Sequence, residues 1–127
     1  MLTLKRLPDR YTIWQLPVDA VPPALPVSVF AAVLRSPTEL SGVCPSAHAP
    51  TGALLDEGWW CLQFIGPFDL TLTGIMVQIA APLAQAQVPI FTLATYNTDY
   101  ILVPQLRYHD AKAAIMAAGH RIVEDTQ

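Results

Sequence analysis

The chain is short of charge. Of its 127 residues seven are Lys or Arg and ten are Asp or Glu, so charged side chains make up 13% and the formal net charge is −3. Binding to a nucleic-acid backbone needs a basic stripe, and these few scattered cations do not form one. No run of like charge marks a polybasic membrane patch or a solvated tail. Long hydrophobic runs are missing too. The most apolar stretch, Ile75 to Val88, is interrupted by Gln78, Pro82, Gln85 and Gln87 and falls short of the roughly 20 residues of a spanning helix. The N-terminus, Met1-Leu2-Thr3-Leu4-Lys5-Arg6-Leu7-Pro8, puts cations where a signal peptide carries its apolar region, which makes the cytosol the expected address. Cysteine is scarce. Cys44 and Cys61 are the only thiols and stand outside any C-x-x-C spacing, the pattern of small buried hydrophobes in a reducing compartment. A zinc site built from Cys44, His48, Cys61 and one more histidine matches no usual ligand spacing, so no metal or cofactor is expected.

Apolar residues and proline are abundant. The hydrophobic fraction is 53%, more than one small interior readily hides, so part of it is expected to be buried against a partner subunit in a homodimer. A dense, alanine-rich core is the plain alternative. Eight of the twelve prolines (8, 17, 22, 23, 26, 37, 45 and 50) lie in residues 1–58, which disfavours helices there. That half reads as strands: Leu2–Leu4, a turn at Pro8-Asp9-Arg10, Tyr11–Leu16, Phe30–Arg35 and Leu40–Cys44. Ala47–Gly58, with His48, Pro50 and two glycines, reads as a linker. The expected division is residues 1–58 and residues 59–127.

The second half reads as β-α-β-β-α-β. Trp59–Ile65 is a strand ended by Gly66-Pro67. Thr71 or Thr73 can cap a helix whose face is Ile75, Ile79 and Leu83, with Pro82 expected to kink or split it. Two strands, Ile90–Tyr96 and Asp99–Val103, flank a tight turn at Asn97-Thr98. Asp110 is expected to cap a second helix with Ala111, Ala114, Ile115 and Ala118 on its face, and Gly119 to end it. Arg121-Ile122-Val123 closes the sheet. This order is that of an α+β, ferredoxin-like fold.

With the elements in place the chain resembles the ACT-domain family of small-molecule regulators. Within it the chain looks closest to small stand-alone proteins with two ACT-like halves, relatives of the cytosolic arginine sensors of animals. The residues carrying the resemblance are Thr38-Glu39-Leu40-Ser41-Gly42-Val43-Cys44-Pro45, Gly66-Pro67-Phe68-Asp69-Leu70-Thr71-Leu72-Thr73-Gly74-Ile75, Ala81-Pro82-Leu83-Ala84, Thr95 to Val103 and Ala117-Ala118-Gly119-His120. It covers about Val33 to Val123. It implies a βαββαβ ACT domain over 59–127, preceded by a strand-rich, helix-poor ACT-like half over 1–58. It also implies side-by-side pairing of ACT units, an amino acid bound at their seam, and no catalysis. One departure stands out: the family's first helix commonly ends in glycine, whereas this chain has Ala86-Gln87-Val88.

The resemblance directs ligand binding to Gly66, Pro67, Phe68, Asp69, Leu72, Thr73, Gly74, Thr95, Asn97, Thr98 and Asp99. An amino acid's carboxylate needs fixed donors, and the N–H groups around Thr71–Gly74 at a helix start supply them. Its ammonium needs an acceptor, for which Asp99 is preferred to Asp69. Glu39 and Ser41 are the candidates to close the site across an interface. The same residues also have purely structural readings, as helix caps and turn formers.

Two other function classes compete. A hydrolase or transferase using Cys61 or Ser41 would need a histidine base held by a third group, and no motif surrounds the three histidines. A ligand-free protein–protein adaptor fits the apolar excess and a free sheet edge. The expected function is a non-catalytic sensor of a free amino acid, acting on a separate effector protein.

Overall fold

The computed structural model describes residues 1–68 and 72–124. The elements are β1 (Thr3–Leu16), β2 (Ala32–Arg35), β3 (Leu40–Pro45), β4 (Leu54–Phe64), α1 (Ile75–Gln85), β5 (Phe91–Ala94), β6 (Asp99–Pro104), α2 (Tyr108–Ala117) and β7 (Arg121–Val123), with 3-10 turns at Ser46–His48 and Gln105–Arg107. They form two compact units, Met1–Pro8 with Trp59–Gln127, and Asp9–Gly58. Residues 1–8 therefore group with the C-terminal residues and not with the strand-rich half.

In the helix-bearing unit the strands run β7–β1–β4–β6–β5. β4 pairs antiparallel with β6 from Trp59↔Pro104 to Gln63↔Tyr100, and β5 with β6 from Phe91↔Leu102 to Ala94↔Asp99. Alternate residues of these strands point to one face. Leu4, Leu62, Phe64, Ile101 and Val103 meet Ile79 and Leu83 of α1 and Ala111 and Ile115 of α2 there, in a cluster whose buried members are at most 4% exposed. Each of these side chains larger than alanine contributes roughly 1.5–3 kcal/mol by leaving water. The fold is ferredoxin-like, with one variation. β7 pairs parallel with Thr3–Lys5 of β1, so β1 stands between β4 and the last strand.

Several local expectations change. β1 is continuous through Pro8, and the turn expected at Pro8-Asp9-Arg10 does not form. Pro8 lies between the stretch that pairs with β7 and the stretch, Tyr11–Leu16, that pairs with β3, where its missing N–H leaves neither ladder short of a donor. The expected linker is in part strand, because β4 begins at Leu54 and runs through Gly58 at φ 83°. α1 is one helix across Pro82. Its N-cap is Gly74 in the left-handed conformation, φ 78°, with no side-chain cap, so Thr73 does not cap it; Thr71 lies outside the described residues. Asp110 does not cap α2 either. It sits in the first turn, with the Arg107 Nε–H donating to its Oδ2 at 3.1 Å.

Both helices close the same way. After α2, the Gly119 N–H donates to Met116 O and the His120 N–H to Ile115 O, with Gly119 at φ 93°. After α1, the Gln87 N–H donates to Ala84 O and the Val88 N–H to Leu83 O, the same Schellman pattern. Here the left-handed residue is Gln87, φ 58°. The Arg107 guanidinium donates to the carbonyls of Gln87 at 3.1 Å and Ala86 at 3.3 Å.

In the other unit β3 lies between β2 and the C-terminal part of β1, antiparallel to both. Its one helical element is the 3-10 turn Ser46–His48. Trp14, Leu40 and Cys44 form one buried cluster, with Leu16, Leu25 and four alanines packed around it, and Tyr11 and Val43 are buried as well. Trp14 faces Gly42 across the ladder. A Cβ on Gly42 would stand 2.3 Å from the indole Cζ2 and 2.4 Å from Ala32 O, so only glycine lets the ring lie down on β3.

Candidate functional site

The β5–β6 hairpin is tighter than a plain connection between strands. The Thr95 N–H donates to Thr98 O at 2.8 Å, the Thr95 hydroxyl donates to the same carbonyl at 3.2 Å, and the Thr98 N–H returns to Thr95 Oγ1 at 3.3 Å. The central pair is therefore Tyr96-Asn97 and not Asn97-Thr98. Thr98 is displaced from the turn because it is buried, its hydroxyl donating to Phe64 O at 2.6 Å. The Phe68 N–H donates to Asn97 O at 2.9 Å. That bond ties the segment after β4 to the hairpin tip. Gly66 permits this path, since a Cβ there would meet Phe68 N at 2.9 Å.

Between hairpin and helix start lies a cavity of about 330 Å³, lined by Phe68, Leu72, Gly74, Ile75 and Met76 on one side of the sequence and Ala94, Thr95, Asn97, Thr98 and Asp99 on the other. Its size is at the lower end for small-molecule sites. Among the described residues no side chain caps the first turn of α1 and none within it is acidic, which suits its N–H donors and the positive end of the helix dipole to an anion. A second cavity of about 300 Å³, lined by Gln63, Ile65, Gly66 and Pro67, shares Asn97 and Thr98 with the first.

Phe68, Leu72, Gly74, Thr95, Asn97, Thr98 and Asp99 are thus gathered at one cavity, and Gly66 and Pro67 at its neighbour. Thr73 lines neither and is exposed. Asp69 lies outside the described residues. Glu39 and Ser41 belong to the other unit, where they line a separate cleft of about 360 Å³ with Leu34, Arg35 and Ser36; the Ser41 hydroxyl donates to Glu39 Oε1 at 3.0 Å. Ile75, Met76 and Ala94 were missed as lining residues, because apolar positions on a helix and a strand read as core. The signal available was their place beside Gly74 and Thr95.

Of the groups a nucleophilic mechanism would use, both thiols are withdrawn from solvent. Cys61 and Cys44 are fully buried, and burial pushes both thiols above their ordinary range, away from the reactive thiolate. His120 Nδ1 accepts the Leu2 N–H at 2.9 Å, and His109 is exposed on α2. Among the described residues no group of three His, Cys, Asp or Glu side chains is placed to hold a metal ion, and no helix is long and apolar enough to cross a membrane.

Residues 54–116 match the model of the ACT domain family. A solved protein from Agobacterium tumefaciens superposes with a TM-score of 0.86 at 29% identity, covering 99% of this chain and 95% of its own. A Vibrio cholerae protein, described as a possible transport protein, superposes at 0.66 with 18% identity over 92% of this chain and 89% of its own. The ligand-free regulatory subunit of aspartate kinase from Thermus thermophilus superposes at 0.58 with 12% identity over 87% and 93%. No curated protein matches the sequence. ACT domains are generally regulatory, ligand-binding modules, and residues 54–116 match that family's model.

Proposed function

Taking residues 54–116 as an ACT domain, we propose that this chain is a non-catalytic regulatory protein that senses a free amino acid. The observation that carries the reading is the cavity between the uncapped start of α1 and the Asp99 end of the hairpin. An amino acid is a zwitterion, and the cavity offers one partner for each charge: backbone donors for the carboxylate and Asp99 for the ammonium. Asp69, Gly66, Pro67 and Thr73 extend the proposed site along the same segment, and Glu39 and Ser41 would close it across an interface. Within the family we place the chain beside the stand-alone proteins related to arginine sensors, with Asp9–Gly58 as a reduced ACT-like half.

The output would pass to a separate effector protein in the cytosol, as ligand favours one assembly or conformation over another. The regulatory subunit of the Thermus thermophilus kinase, with the same fold, offers a pattern for such a division of labour. A homodimer would bury apolar side chains that are open here, among them Leu54 at 74% exposure and Leu34 at 52%. Those same residues support a second reading, an adaptor that binds protein and no small ligand. Thermal unfolding against the twenty amino acids, with Asp99→Ala in parallel, separates the two. A ligand bound only to the folded state raises the midpoint with its saturation. The sensor reading expects one amino acid to stabilise the wild type and not the variant. No shift at millimolar concentration leaves the adaptor.

A further inference from the structure

The β5–β6 hairpin that walls the cavity has a counterpart in the Asp9–Gly58 unit. β2 pairs with β3 from Ala32↔Val43 to Arg35↔Leu40, and β5 with β6 from Phe91↔Leu102 to Ala94↔Asp99. Each turn is closed by one bond of 2.8 Å, from the Ser36 N–H to Glu39 O and from the Thr95 N–H to Thr98 O. Each second strand ends in proline, Pro45 or Pro104, and runs into a 3-10 turn. A third strand lines up as well, since Tyr11 pairs with Pro45 as Trp59 pairs with Pro104. Pair for pair, Arg35 stands where Ala94 stands, and Leu40 where Asp99 does. Paired residues share a face of a sheet, and Leu40 belongs to the buried Trp14 cluster, so Arg35 lies on the core face of its hairpin.

In the helix-bearing unit the space between hairpin and the segment after β4 is the cavity, with Ala94 in its wall and Phe68, Leu72 and Gly74 contributed by that segment. In the Asp9–Gly58 unit a side chain spans the corresponding gap. After β1 the chain turns at residues 17–20, the Ala20 N–H donating to Pro17 O at 2.9 Å. The Arg35 guanidinium reaches this turn from the hairpin, donating from Nη1 to Val18 O and from Nη2 to Ala20 O at 3.0 Å. Its planar fork holds both carbonyls at once, and Ala20 packs on the Trp14 cluster. We infer that Arg35 is a built-in ligand: its guanidinium fills the Asp9–Gly58 counterpart of the cavity and ties the 17–20 turn to the β2–β3 hairpin. The chain's own cation thus does there what an added small molecule does in the other unit. That parallel rests on the ligand-site reading above, whereas the guanidinium site does not. Without Arg35 the carbonyls of Val18 and Ala20 become a vacant pair of acceptors for a guanidinium compound.

Arg35→Ala in the full chain tests this, with methylguanidinium chloride as the probe at concentrations too low to denature. Arg35 is an exposed residue, so its truncation should leave the fold intact. The amide NMR signals of residues 18–21 should move saturably with methylguanidinium in Arg35→Ala and hold still in the wild type, where the site is filled. The thermal midpoint, lowered in Arg35→Ala, should recover over the same titration. Methylammonium, a cation without the fork, should bind the variant roughly tenfold more weakly or worse. No saturable shift in Arg35→Ala overturns the site and leaves Arg35 a surface tether. An equal response to both cations, or the same response in the wild type, also overturns it. Absence of amino-acid binding by the wild type retires the reading of the cavity and the parallel drawn from it, while guanidinium binding by Arg35→Ala still upholds the Arg35 site.

Discussion

The two units solve the same problem with unequal means. The helix-bearing unit covers one sheet face with α1 and α2, and its core draws on strands and helices alike. Asp9–Gly58 has four strand segments, from β1, β2, β3 and the start of β4, no helix beyond a 3-10 turn, and a small core of Trp14, Leu40 and Cys44 beside the buried Tyr11 and Val43. Where helices are lacking, one large ring lying on a glycine takes over the covering role, so stability there rests on few residues. A core shared among many side chains should absorb a single loss better than a core dominated by one indole.

The largest expected effect follows from that contrast. Trp14→Ala should cost about 3–5 kcal/mol, read as a fall in urea midpoint. Hydrogen exchange should show the loss concentrated in β2 and β3, with α1 and α2 amides keeping their protection. Uniform loss across both units would break the comparison by showing that they open together. Thr98→Val should cost about 1–3 kcal/mol, because it strips the buried Phe64 carbonyl of its partner. That variant should also lose any amino-acid stabilisation, since Thr98 holds the hairpin wall of the cavity.

A pH-dependent effect should come next. Glu124 accepts from Lys112 Nζ at 2.7 Å and from the Tyr108 hydroxyl, and Arg6 stands 3.4 Å away while stacking on Trp60. The bonds from Lys112 and Tyr108 hold the Glu124 carboxyl below its ordinary range. This stabilisation is present above the ordinary glutamate value, about 4.3, and is lost as pH falls through the depressed one. Burial and the Glu124 contact push the Tyr108 phenol up, so its contribution is present below about pH 10 and lost as pH rises further. Unfolding midpoints against pH should be flatter on the acid side for Glu124→Gln and on the alkaline side for Tyr108→Phe. The smallest effect has the opposite sign. Gln87→Gly relieves a left-handed side chain and should stabilise by about 1 kcal/mol or less.

How far the sequence could be read follows from the range of the forces involved. The helices were legible because Ile75, Ile79 and Leu83, like Ala111 and Ile115, recur at helical spacing. The hairpin was legible from its β-rich flanks, but its centre was misplaced by one residue, since the burial of Thr98 depends on Phe64, 34 positions away. Thr73 and Asp110 looked like caps by type, yet the helix starts went to Gly74 and Arg107. The missing glycine after α1 was visible, but that Gln87 takes up glycine's conformation was not. The cavity's polar residues were legible from the turn and its neighbours. Its apolar lining was not, because a side chain that faces a cavity and one that faces the core have the same chemistry.

Leu2 bonds to His120 and Arg121, and Thr3 pairs with Arg121. The first strand is thus left waiting for the last residues before its edge can be filled. On a ribosome, β1 emerges long before β7 exists. Contacts closing so long a loop are the late, slow ones in folding, and until they form the open edge of β1 is a surface on which another strand can dock. Crowded synthesis, more than the finished molecule, is where this chain should be most prone to mispairing.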